Sequence, residues 1–271
     1  MRRAVAMPLF VSGIALYCLV PFVWFALTSF KTSAELAAIP PVWMPSFHLG
    51  FYESAVRQHG LLRYVLNSVV IAGGSTLITI IVASLAAYAI ARFHAAWLRF
   101  YLLLLLMISM FPQIAIAGPV WKILDRLNWL NTHHGLIAAY ISLSLPLAIW
   151  ILTTFFREVP VEIEEAALID GCSRLQVLCK IVWPLSAPAI FTAALLVFIH
   201  TWNEFFFALI ILTNPEVQTL PVGIALFPGE YTMPWGEIAA ASTIATVPLV
   251  LLTLIFQRGI VRGLSAGAVK G

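Results

Sequence analysis

Two ionisable side chains of this sequence are spaced for chemistry within an otherwise apolar stretch. His200 and Glu204 are four residues apart, which places them on one face if the stretch is a helix. An imidazole and a carboxylate at that spacing can relay a proton, or they can hydrogen-bond a sugar together with Asn203 and the aromatic Trp202. The more frequent use of such residues is structural, since polar side chains often hold one membrane helix to its neighbours.

A second concentration of ionisable groups lies at residues 157–185, REVPVEIEEAALIDGCSRLQVLCKIVWPL. Pro160 suits the first position of a short helix, and Gly171 suits the left-handed residue that ends one. Ser173 followed by Gln176 is a capping-box pattern, which predicts the start of a second short helix. We therefore expect two short helices joined by a tight turn.

The composition of this loop favours a protein partner over the membrane surface. It carries five acidic residues, whereas a segment that binds anionic lipid is rich in Lys and Arg. Ala166 and Ala167 predict a helix face without bulk, which another surface can approach closely. A simple connector on the membrane surface is the alternative.

The sequence contains no pattern typical of a catalytic centre. It has no phosphate-binding glycine loop of the Walker type and no titratable cluster arranged for acid–base or metal chemistry. Its three cysteines lack the spacing of a zinc site or a redox pair. We therefore expect a non-catalytic chain that binds no metal and no cofactor.

The overall composition predicts a protein that lies in a lipid bilayer. Of the 271 residues, 62% are hydrophobic and only 10% are charged, whereas soluble domains carry roughly 25% charged residues. The net charge of +3 is too small to indicate a nucleic-acid partner. A span of about 20 apolar residues crosses the bilayer, and six such spans are predicted: Pro8–Phe30, Tyr64–Ala91, Phe100–Leu124, Gly135–Phe156, Ala187–Leu212 and Ile238–Gln257.

The predicted fold is thus an all-α polytopic membrane protein with six transmembrane helices. We divide it into a first helix with its outer loop (1–63), a five-helix core (64–257) that includes the loop 157–185, and a C-terminal tail (258–271). Ten Lys and Arg residues lie in one set of hydrophilic segments and five in the alternate set. By the positive-inside rule both termini are cytoplasmic.

The acidic loop resembles the "EAA" motif of ATP-binding-cassette importer permeases. The matching residues are Glu165-Ala166-Ala167, Gly171 after three intervening residues, Ile181, and Pro184. The chain departs from the family pattern at Trp183, where Leu is usual, and at Cys172, where Ala is common. Neither change removes the small face or the turn.

The resemblance extends over the whole chain and is strongest to the carbohydrate branch, in particular to the smaller of the two maltose-type permeases. The segments that carry it are Ser29-Phe30-Lys31, Asn67-Ser68, Ala86-Ala87-Tyr88-Ala89, Trp202-Asn203-Glu204-Phe205 and the tail Gly267-Ala268-Val269-Lys270-Gly271.

This resemblance implies a type I importer fold in a bacterial plasma membrane and a function as half of a translocation pore. The implied partners are a second related permease, two cytoplasmic ATPase subunits that bind ATP and Mg, and an external solute-binding protein, either periplasmic or lipid-anchored. The first short helix of the loop would be the coupling helix that docks on an ATPase subunit. The residues assigned to coupling are Glu162, Glu165, Ala166, Ala167, Asp170, Gly171 and Pro184.

Two further assignments follow from the same resemblance. The tip Gly229-Glu230-Tyr231 of the outer loop 213–237 would contact the binding protein, and Lys270 with Gly271 would reach between the ATPase subunits. The residues themselves suggest the solute pathway, because polar side chains cost free energy in lipid and are therefore candidates to line it: His200, Trp202, Asn203 and Glu204.

Three other functions stay open from the sequence. One is a proton-coupled secondary transporter that uses His200 and Glu204, and another is a purely structural membrane protein. The third is an importer permease for a non-sugar solute such as a glycerol phosphodiester.

Overall fold

The computed structural model describes residues 2–93, 96–227 and 233–268, and the side chains of 2–6, 8, 9, 96, 99 and 257–268 are not part of that description. The described part is helical and contains no β-strand. In chain order the helices are α1 Arg2–Ser29, α2 Ser33–Ala37, α3 Gly50–Arg57, α4 Leu61–Arg92, α5 Ala96–Ser109, α6 Gln113–Arg126, α7 His133–Phe156, α8 Val161–Ile169, α9 Arg174–Val177, a π-helical turn Leu178–Val182, α10 Trp183–Leu185, α11 Ala187–Asn203, α12 Phe206–Ile211, α13 Leu220–Ala225 and α14 Trp235–Ala268.

The predicted all-α fold with six spans is confirmed when each of two bent helix pairs is counted as one span. Four continuous stretches in the described residues are long and apolar enough to cross a membrane: Phe10–Ser29, Leu61–Arg92, His133–Phe156 and Trp235–Phe256. The bent pairs are Phe100–Ser109 with Gln113–Arg126, and Arg174–Leu185 with Ala187–Asn203.

The third predicted span, Phe100–Leu124, is not one straight helix. α5 ends at Ser109, and Pro112 is the N-cap of α6. The two helices meet at 92°. Proline fixes its own φ and has no N–H to donate, which explains a break here.

The prediction of one continuous fifth span, Ala187–Leu212, is wrong. α11 ends at Asn203, because Glu204 is extended with φ −68° and ψ 129°. The short helix α12 follows at Phe206. A further bend of 85° separates α11 from the helices that precede it.

The chain forms two compact units, and the first consists of Met1–Val65 and Val222–Pro248. In it, Ser29 and Tyr52 share a hydrogen bond of 2.7 Å between their hydroxyl oxygens. Thr32 and Glu35 form a capping box at the start of α2. The backbone N–H of Thr32 donates to Glu35 (2.8 Å), and this bond, together with bonds from Ser46, lowers the pKa of the Glu35 carboxyl.

The second unit consists of Leu66–Pro221 and Leu249–Gly271. Helix α7 packs against α5, α11 and α12 in this unit. Gly74 of α4 lies close to α7, because a Cβ at this position would be 3.2 Å from Cδ1 of Ile137. The main apolar core gathers side chains of α4, α7, α11 and the π-helical turn, among them Tyr88, Leu152, Phe156, Leu178 and Val197. This core supports the acidic loop.

The last helix crosses the boundary predicted between core and tail. α14 runs from Trp235 to Ala268, so residues 258–268 continue as helix beyond the predicted sixth span, Ile238–Gln257. The functional division into 1–63, 64–257 and 258–271 stays a prediction.

Candidate coupling loop and solute pathway

The acidic loop begins with a short helix whose first turn is negatively charged. Pro160 is the N-cap of α8, with φ −58°. The sequence predicts this proline at the first helical position, which Val161 occupies instead. Glu162 and Glu164 lie in the first turn, where carboxylates are stabilised by the partial positive charge of the helix N-terminus.

The turn at Gly171 is the one that the sequence predicts. Gly171 has φ +87°, in the left-handed region. Its N–H donates to the carbonyl of Leu168 (3.1 Å), and the N–H of Cys172 donates to the carbonyl of Ala167 (3.0 Å). This pair of bonds is the Schellman arrangement, which satisfies carbonyls left open at a helix end.

The predicted capping box at Ser173 is also confirmed. The N–H of Ser173 donates to the side chain of Gln176 (2.8 Å), and the N–H of Gln176 donates to the Ser173 hydroxyl (3.3 Å). The turn at Gly171 and this cap fix the direction in which the chain returns to the membrane helices.

Most of the residues assigned to coupling lie on the surface of α8 and its turn. Glu162, Glu165, Ala166, Asp170, Gly171 and Pro184 are exposed. Ala167 is half-buried and packs against the core, so the prediction that it shares an open face with Ala166 is wrong. Successive helix residues point roughly 100° apart. Ile169, which is 86% exposed, lies on the open surface of α8 in place of Ala167.

A charged contact that the sequence analysis missed fastens α8 to α4. Glu164 is buried, and Tyr88 donates to its Oε2 (2.9 Å). Arg92 donates from Nε to Oε1 (2.9 Å) and forms an ion pair with the same carboxylate. Arg92 also donates to the carbonyls of Phe156 (2.8 Å) and Val159 (3.1 Å). We call these five residues the arginine junction.

The candidate pathway residues do not converge on one surface. His200 lines a cavity of about 460 Å³ bounded by α5, α6, α7 and α11, together with Gln113, Trp129 and Ser142. Trp202 is buried and stacks on Phe198, with ring centroids 5.5 Å apart. Asn203 is exposed and donates to the carbonyl of Ile199 (2.8 Å).

Glu204 has a structural position, so the expectation that it shares a helix face with His200 is wrong. Its carboxylate accepts from the Tyr140 hydroxyl (2.6 Å) and from the backbone N–H groups of Phe207 (2.9 Å) and Ala208 (3.2 Å). Glu204 lies beyond the end of α11, one residue before Phe205, the N-cap of α12, and its carboxylate accepts from N–H groups in the first turn of α12 that have no partner within the helix. Both of its oxygens are used, and they do not form a relay with the imidazole.

The predicted contact loop is anchored at its start by neutral side chains. The Asn67 amide donates to the carbonyls of Glu216 (3.0 Å) and Gln218 (2.9 Å), and the Ser68 hydroxyl accepts from the N–H of Leu220 (2.7 Å). Asn131 Oδ1 accepts from the N–H of Asn214 (2.7 Å). We call Asn67, Ser68 and Asn131 the loop anchor. The tip residues Gly229, Glu230 and Tyr231, and the tail residues Lys270 and Gly271, lie outside the described residues.

Known proteins resemble this chain along nearly its full length. The trehalose/maltose transport system permease protein MalG of Thermococcus litoralis is 44% identical, covering 95% of this chain and 93% of that protein. The sulfoquinovosyl glycerol transport system permease protein SmoH of Agrobacterium fabrum is 42% identical, covering 93% and 89%. A chain of a bacterial ABC transporter that imports the polysaccharide alginate has the same fold, with a TM-score of 0.79, 20% identity and coverage of 94% and 95%.

Residues 54–266 match the family described as the binding-protein-dependent transport system inner membrane component. That match takes in the acidic loop with its confirmed turn and cap. The chain belongs to this family and is a multi-pass, non-catalytic permease subunit of a binding-protein-dependent ATP-binding-cassette importer.

Proposed function

We propose that this permease imports a carbohydrate and forms half of the pore, with a second related permease as the other half. The relatives transport trehalose or maltose and sulfoquinovosyl glycerol, and the structural neighbour imports alginate. All of these solutes contain sugar rings. A solute-binding protein delivers the sugar from outside, and ATP with Mg is bound and hydrolysed on two partner ATPase subunits.

The observation that carries the coupling assignment is the exposed surface of α8. It combines acidic Glu162 and Glu165 with the small Ala166 and the apolar Ile169, and all four are exposed. Docking of a partner would remove the exposed Ile169 from water, which is favourable for an apolar side chain. The acidic rim favours a partner with a basic docking cleft.

The orientation follows from charge. Ten of the Lys and Arg residues flank the spans on the side of the acidic loop and five on the other side, so both termini and α8 face the cytoplasm. A reporter that is active only in the cytoplasm, fused after Gly271, is expected to be active.

Docking is tested by co-purification of the ATPase subunit with the tagged permease. Ala166→Trp places a bulky ring on the exposed face of α8, so ATPase recovery is expected to fall at least about tenfold, the loss that about 1.4 kcal/mol of binding free energy produces. Ala37→Trp, the same change at an exposed alanine of α2, is the control. Full recovery of the ATPase with Ala166→Trp would assign docking to another surface.

The solute class is tested by uptake in cells that express the complete importer. Radiolabelled maltose and trehalose are expected to accumulate, and glycerophosphocholine is not. Accumulation of the phosphodiester alone would place the transporter outside the carbohydrate branch. The family membership excludes a proton-coupled secondary transporter and a purely structural protein.

A further inference from the structure

One carboxylate of α8 points away from the exposed docking surface. The side chain of Glu164 is only 4% exposed, whereas Glu162 and Glu165 on either side of it are exposed. Both of its oxygens accept hydrogen bonds from α4, one from Tyr88 and one from Arg92. α8 is therefore bound to α4 on one face while the opposite face stays open.

Arg92 joins three elements through a single guanidinium group. It ends α4, binds the first turn of α8 through Glu164, and donates to the carbonyl of Phe156, the last residue of α7, and to that of Val159 in the connection to α8. A guanidinium is planar and presents its donors in a fixed fork. The three elements therefore cannot separate without breaking several of these bonds together.

The junction lies in apolar surroundings. Tyr88, Phe156 and Val159 belong to the same buried apolar cluster as Val177 and Leu178. The side chain of Arg92 is 9% exposed. Attraction between opposite charges is stronger where water is excluded, and separating such a pair leaves each charge without its partner.

We propose that Arg92 and Tyr88 are positioning residues that make the end of α4 move together with α8. This inference rests on the proposed docking of α8 on an ATPase subunit. A displacement of α8 then reaches the second transmembrane span, α4, directly through Glu164, whereas the covalent connection through residues 157–160 leads to the fourth span, α7.

The test measures solute transported per ATP hydrolysed in proteoliposomes that contain the complete importer and its solute-binding protein. Glu164→Gln keeps the shape and a hydrogen-bond acceptor but removes the charge, so the docking face and assembly are expected to survive. Substitutions along a coupling network change coupling by about 0.5–2 kcal/mol. The ratio is therefore expected to fall about 2- to 30-fold, while the ATPase still co-purifies.

Arg92→Lys is the second variant, because it keeps the charge but cannot reach Glu164, Phe156 and Val159 at once. It is expected to lower the ratio as well. The control is Glu53→Gln, which removes a charge from the exposed Glu53–Arg57 pair and is expected to leave the ratio unchanged.

A purely structural role gives a different result. Complex yield and transport would then fall in parallel, with the ratio unchanged in both variants, and the inference would be overturned. Failure of the proposed docking shows itself separately, since the ATPase would then not co-purify even with the unaltered chain.

Discussion

Helix α4 is fastened near both of its ends, and the chemistry of the two attachments differs. Near its start, the loop anchor uses only neutral groups, with Asn67 donating to two backbone carbonyls and Ser68 accepting from Leu220. At its end, the arginine junction uses a buried ion pair between Arg92 and Glu164. The anchor holds irregular backbone, whereas the junction holds another helix.

This difference predicts how much free energy of unfolding is lost when one residue of each attachment is replaced. A neutral hydrogen bond contributes about 0.5–1.5 kcal/mol net, so the anchor is a sum of small terms. In a buried ion pair, loss of one partner leaves the other charge unpaired, which costs about 3–5 kcal/mol. The larger penalty at the arginine junction keeps α8 attached to the end of α4 more firmly than the loop anchor holds its backbone.

The largest expected effect is that of Arg92→Met. This change leaves the Glu164 carboxylate buried with only Tyr88 as donor and removes the bonds to Phe156 and Val159. Thermal unfolding of the detergent-solubilised permease should show a loss of about 3–5 kcal/mol. Arg92→Met combined with Glu164→Met removes both charges and should recover part of the lost free energy of unfolding. A double variant that is no more stable than Arg92→Met would show that the ion pair does not hold the end of α4 to α8.

The next effect is that of Ser68→Ala in the loop anchor. It leaves the buried N–H of Leu220 without its acceptor, which should cost about 1–3 kcal/mol. Ser75→Ala is the matched control on the same helix, since Ser75 is fully buried and its hydroxyl has no hydrogen-bond partner among the described residues. The control should be neutral or stabilising in the same unfolding measurement. Equal losses at both positions would show that burial of the hydroxyl, and not the bond to Leu220, matters.

A smaller effect is expected at the turn that ends α8. Gly171 and Gly60 both have left-handed φ values, and at neither glycine does an atom beyond its two chain neighbours lie within 4 Å of the position that a Cβ would occupy. Alanine at either site should therefore cost about 1–2 kcal/mol through backbone strain alone. Only Gly171→Ala should also lower the recovery of the ATPase subunit, because only Gly171 borders the docking surface. A loss of recovery with Gly60→Ala would contradict that assignment.

Much of the local structure could be predicted because local sequence decides it. The left-handed turn at Gly171 and the cap at Ser173 depend on residues within a few positions of each other. The arginine junction could not be predicted, since Glu164 and Arg92 are far apart in sequence and α8 has three acidic residues in one turn. Only the packed structure decides which of the three points inward.

The error at Glu204 has a different cause. Spacing places two residues on one helix face only if the helix continues between them, and α11 ends at Asn203. No proline or glycine marks this end in the sequence. The buried carboxylate stabilises the break by accepting from Phe207 and Ala208, a tertiary arrangement that hydropathy does not reveal.

The smallest expected effect tests whether the cost of breaking the Arg92–Glu164 pair in the arginine junction comes from charge alone or from its burial. Glu53 and Arg57 form an ion pair of 3.2 Å whose side chains are 64% and 78% exposed. Water and salt screen such a pair, and exposed pairs of this spacing contribute about 0.3–0.5 kcal/mol. Glu53→Gln should therefore shift the free energy of unfolding by no more than that amount, and 1 M salt should abolish the shift. If this exposed pair cost as much to break as the Arg92–Glu164 pair, charge alone would explain the junction, and the contrast between the two ends of α4 would owe nothing to burial.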